Sequence, residues 1–107
     1  MKHVEKFIRH LQSSIERRKA AIRLESDVLY SYKECATYFY DVEDSEAYNR
    51  YASFIKDSKG ILKELHTIQK TETEMLKWLE NIRSCHEELL QKDMLLFDFS
   101  LEESQHD

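Results

Sequence analysis

The side chains able to do chemistry are few and scattered. His3, His10, His66, His86 and His106 form neither H-x-x-x-H nor H-E-x-x-H, the spacings that put two imidazoles on one helical face. A di-iron bundle would need E-x-x-H pairs facing inward. Here His66 follows Glu64 by two residues, and His86 precedes Glu87 and Glu88 instead of following them. Cys85 and His86 are adjacent, so on a helix they point about 100° apart and converge poorly on one ion. Cys35 falls on an apolar helical line, which makes it a small core residue rather than a nucleophile. A single glycine excludes the glycine-rich phosphate loops and the G-x-S-x-G elbow. The expectation is a protein that is not an enzyme, with no cofactor, no metal and no small-molecule substrate.

Two other groups could bind rather than catalyse. The basic cluster Arg17, Arg18, Lys19, with Arg23 one turn on, could contact phosphates on an anionic surface. Neighbouring residues spread around a helix, however, so the simpler reading is a solvated face with ion pairs. Overall acidity, with net charge −5 and pI near 5.5, argues against nucleic acid. The aromatics crowd elsewhere: Tyr30, Tyr32, Tyr38, Phe39, Tyr40, Tyr48, Tyr51 and Phe54 are eight of the twelve in the chain. They cannot all face one core, so Tyr38, Tyr40 and Tyr48 are candidates for partner contact. Trp78 is either a bundle anchor or an interface residue.

These residues must be carried by helices. Counting in sevens from Ala47 reaches Phe54, Ile61, Ile68, Met75, Ile82, Leu89 and Leu96, all apolar. Seven residues are nearly two helical turns, so this is a stripe on one side of a helix. The first half holds a second such line, Ile8, Ile15, Ile22, Leu29 and Ala36, joined by Val4, Leu11, Tyr32 and Phe39. Arg18 and Glu25 interrupt that joined line, while Ala21, Val28 and Cys35 widen the apolar face. No proline interrupts either half.

The fold class is all-α, an elongated antiparallel helical bundle in one domain over residues 1–98, with an acidic solvated tail at 99–107. The first helix is expected from about Lys2 to Tyr40 and the next from about Ser45 to Phe97. Between them lies DVEDSEAY, where Asp44 or Ser45 can cap the second helix. Two architectures stay open. The polar run QKTETE at 69–74, with Thr71 and Glu74 in S/T-x-x-E spacing, favours a break and three helices. The uninterrupted phase from Ile68 to Met75 favours a long two-helix hairpin that dimerises. Charge is segmented: +5 over 1–23, −6 over 24–48, +2 over 49–83 and −6 over 84–107. The basic beginning and acidic end could meet if the chain folds back twice, or across a dimer.

The start, MKHVEKFIRH, has no apolar stretch of signal-peptide type, and no apolar run approaches the roughly 18 residues of a membrane span. Unpaired Cys35 and Cys85 carry no disulfide-framework spacing. A soluble, cytoplasmic protein is expected. Its function is expected to be binding a protein partner, or itself, through open helix seams: Met75, Leu79, Ile82, Leu89 and the Met94–Phe97 group, with Trp78 beside them. The layout of basic amphipathic helix, acidic break and longer helix, with VEKFIRHLQSSIERRK at its start, resembles part of a BAR-type arm of the sorting-nexin-like trafficking proteins. That resemblance implies the alternative, a membrane-associated scaffold whose Arg17, Arg18, Lys19 and Arg23 meet anionic lipid.

Overall fold

A computed structural model describes the backbone of residues 2–106 and the side chains of residues 2–92. It contains two helices, α1 (Lys2–Asp41) and α2 (Ser45–His106), packed antiparallel into a rod 96 Å long and 18 by 15 Å across. The architecture is the long hairpin. A third helix is absent among the described residues, because QKTETE does not break α2. Its two threonines cap nothing: Thr71 and Thr73, like Thr67 just before the run, each donate a hydroxyl hydrogen bond to the carbonyl four residues back, on Thr67, Gln69 and Lys63 respectively. A helical threonine satisfied in this way stays inside the helix. Without a proline or a phase change, a polar stretch is only a polar stretch. Helical backbone also continues past Phe97 to His106; the Met94–Phe97 seam and the acidic side chains of 99–107 lie outside the described residues.

The turn is compact because one residue serves both helices. The Asp44 N–H donates to the Phe39 carbonyl at 2.9 Å and the Glu43 N–H to the Tyr40 carbonyl at 3.2 Å. This 6→1 and 5→2 pair is a Schellman ending, which needs a left-handed residue between the two helices. Glu43 takes that conformation, at φ 59°. Asp44 then starts α2: its Oδ1 accepts the Ala47 N–H at 3.1 Å, the N-cap bond.

From the turn outward the register is constant. Tyr40 faces Tyr48, and Tyr32 faces Tyr51 and Phe54. Glu25 meets Ser58, Ser14 and Arg18 meet Glu72, and Ile8 and Leu11 pack with Leu79, Leu76 and Val4. On α1 the inward line is Val4, Leu11, Arg18, Glu25, Tyr32 and Phe39, with Ile8, Ile15, Ile22, Leu29 and Ala36 beside it. All are buried or half-buried. On α2 the inward lines are Tyr51, Ser58, Leu65, Glu72 and Leu79, and Ile55, Leu62, Gln69 and Leu76. Helix α2 is the longer, 62 residues against 40, so its C-terminal part runs beyond the start of α1.

Two backbone positions carry removable cost. A left-handed non-glycine residue is disfavoured by about 1 kcal/mol, and Glu43→Gly should recover most of it. Gly60 lies inside α2 with nothing within 4 Å of where a Cβ would stand. Gly60→Ala should therefore stabilise by about 1 kcal/mol. Each variant is expected to raise the thermal midpoint by roughly 5 °C; a melt unchanged or lowered in either would contradict its assignment.

Candidate interaction surface

The apolar line counted from Ala47 is not the hairpin seam. Phe54 is 38% exposed, Ile61 45%, Ile68 42%, Met75 41% and Leu89 58%, and Ile82 is half-buried. This line stands one step around α2 from Tyr51, Ser58, Leu65, Glu72 and Leu79. It flanks the seam on one broad side of the rod. Opposite it, across the shallow groove between the helices, α1 presents Phe7, Ser14, Ala21, Val28 and Cys35, mostly small residues. Leu24, 67% exposed, and Trp78, 62% exposed, rim the same side. On the other broad side Ile55, Ala36 and Tyr48 line one shallow hollow, and the rims are polar: Gln12, Lys19, Ser26 and Lys33 on α1, Lys59, His66, Thr73 and Glu80 on α2.

The partner-contact candidates divide accordingly. Trp78, Ile82, Leu89 and Tyr38 lie on the apolar side. Tyr40 and Tyr48, tilted against each other at 5.8 Å, lie at the turn on the opposite side. Tyr38 and Leu89 are separated by most of the length of α1, so the six residues do not make one site. The turn aromatics largely serve the hairpin: Phe39 stacks on Tyr51 at 5.5 Å, and Tyr32 packs on Tyr51 and Phe54. One expected seam residue is corrected. Leu79 is 8% exposed, inside the core with Ile8 and Leu11, and offers nothing to a partner. Phe54, Ile61 and Ile68 were missed as open residues, although the seven-residue count contains them. What would have marked them is the second pair of apolar lines, at 55 and 51, which competes for the same seam.

The basic cluster is not gathered on a surface. Arg18 points into the seam, where its Nε donates to Glu72 Oε1 at 3.1 Å. Lys19 pairs with Glu16 at 3.2 Å, while Arg17 and Arg23 point to other sides. Among the described residues no group of three His, Cys, Asp or Glu side chains could hold a metal ion, and no helix is long and apolar enough to cross a membrane. Comparison with family models, curated proteins and solved structures gives no match.

The seam holds two polar layers. Ser14 donates to Glu72 Oε2 while Arg18 holds Oε1, and Ser58, 2% exposed, donates to Glu25 at 2.7 Å. The Ser14 hydroxyl, more than the opposing burial and with help from Arg18, holds the Glu72 carboxyl below the usual carboxylate range. A lowered folded pKa means that the unfolded chain binds the proton more readily. The resulting stability is present above the unfolded value of about 4.3 and is lost as pH falls through the folded one. Glu72→Gln should thus show a shallower loss of stability on acidification below about pH 4.3 than the parent. Parallel urea titrations at several pH values would show it; two curves of equal slope would count against the assignment.

Proposed function

We propose that this chain is a helical protein-interaction module whose binding surface is the apolar groove side of the hairpin. The supporting observation is the row Phe54, Ile61, Ile68 and Met75, each 38–45% exposed at helical spacing, on a rod whose other broad side is polar-rimmed. Scattered single hydrophobes on a surface are ordinary, whereas a contiguous apolar strip marks a contact site. A third or fourth helix laid in the groove would bury the strip and complete a bundle, the usual way an amphipathic helix recognises an apolar cleft. Its role is to hold another protein, or another copy, and not to transform a small molecule. The two free cysteines, one of them exposed, fit a reducing compartment, and we place the module in the cytoplasm.

Site-specific photocrosslinking tests this reading. Benzoylphenylalanine replacing Ile68 is expected to give covalent protein adducts in the source cell. The same probe at Lys59, on the polar-rimmed side, should give none. Adducts at Lys59 alone, or at neither position, would overturn the assignment of the surface.

A further inference from the structure

We infer that the occupant of this groove is a second copy of the same hairpin, stacked antiparallel so that the acidic turn of one lies over the basic start of the other. This inference rests on the apolar side being a docking surface and adds what docks there.

Three features of that side favour self-association. The first is symmetry of the strip. About a two-fold axis midway between Ile61 and Ile68, Phe54 meets Met75 of the second copy, Ile61 meets Ile68, and Ala47 meets Ile82. Every stop from Ala47 to Ile82 finds an apolar counterpart, as an isologous interface requires. The small residues Ser14, Ala21, Val28 and Cys35 of each α1 leave room at the centre for the large ones of α2, giving a four-helix core.

The second is charge. The turn carries Asp41, Glu43, Asp44 and Glu46, and the start of α1 carries Lys2, Lys6 and Arg9, all exposed. With the two hairpins fully overlapped about that axis, each turn reaches the start of its neighbour's α1. Along the α1–α1 rim the register brings His10 to Glu34 and Arg17 to Asp27, with Lys6 within about one turn of Asp41. On the α2–α2 rim Arg50 comes to Trp78 and Glu46 to Arg83. One like pair remains, Glu64 with its own copy at the axis, and Lys63 stands next to it. A parallel stack would instead place the four turn carboxylates beside four more. Opposite potentials select orientation and partner more than they add affinity.

The third is size. Forty residues of α1 give a shared face about 60 Å long, and the rod is 18 Å wide. Together these offer about 1,000 Å² per copy, above the roughly 800 Å² of a stable interface. In this arrangement the C-terminal part of each α2 projects beyond the other copy's turn, one at each end.

The test uses the full chain carrying Cys35→Ser, with a spin label on the exposed Cys85. Sedimentation equilibrium should show a dimer, and the label-to-label distance should be about 60 Å, from the helical rise over the offset between copies. Reversing turn charges with Asp41→Lys and Glu43→Lys should weaken association about tenfold, and adding Lys2→Glu, Lys6→Glu and Arg9→Glu should restore it. A dimer with labels closer than about 30 Å would show parallel stacking, and a monomer at every concentration would show no self-association; either overturns the inference. The docking surface itself is judged separately. A monomer that still gives Ile68 adducts with a different protein loses the second copy as partner and keeps the surface.

Discussion

The hydrogen-bonded cluster of Glu72 with Ser14 and Arg18 fixes how the two helices lie along each other, and the rest of the molecule follows from that register. Apolar lines that repeat every seven residues are degenerate, since a slip of seven brings apolar groups back onto apolar groups. The polar layers remove the degeneracy. Slipped one way, Glu72 would face Phe7 and Leu11; slipped the other, Ala21 and Glu25. Either move strands a carboxylate without a donor, which costs more than the loss of an ordinary contact. Ser58 with Glu25 repeats the constraint nearer the turn, and the turn itself agrees with both. Three local devices thus specify one pairing.

That register decides what is left over. Because the seam uses the lines through Tyr51 and Ile55, the line through Phe54 is turned to the groove edge. Because α1 ends 40 residues out from the turn, the distal part of α2 has no antiparallel neighbour in its own chain. A two-helix rod has no third layer to cover a flank, and apolar area kept in water forgoes roughly 25 cal/mol per Å². The exposed strip is therefore a consequence of architecture as much as of composition.

Much of this was legible in the residues. All-α class, the hairpin, a cap at Asp44 or Ser45 and the inward lines of α1, including their interruption at Arg18 and Glu25, follow from periodicity and capping chemistry alone; the structure chooses Asp44. The helix count did not, because QKTETE has the composition of a break but neither the glycine or proline nor the phase shift that makes one. The open apolar side was legible in part. An unbroken apolar line looks like the best seam, yet α2 carries three adjacent lines that could face α1. Choosing among them depends on where Glu72 and Ser58 find partners across the hairpin. Periodicity within one helix holds no information about a hydrogen bond to another, so the residues alone leave Leu79 among the open ones although the hairpin buries it.

A difference in entropy explains why the unbroken line lies outside and the interrupted lines inside. Contact between α1 and α2 is intramolecular: a three-residue turn, closed by its own hydrogen bonds, holds the helices near each other at high effective concentration. Such a contact tolerates polar layers that add little net stability and much specificity. Contact between molecules has to offset several kcal/mol of lost translation and rotation before any affinity appears. A surface for that task needs continuous apolar area with charges only at its rims, the composition of the row from Phe54 to Met75 between the charged edges of the rod. The seam supplies uniqueness of fold, and the flank has the composition that the proposed docking would need.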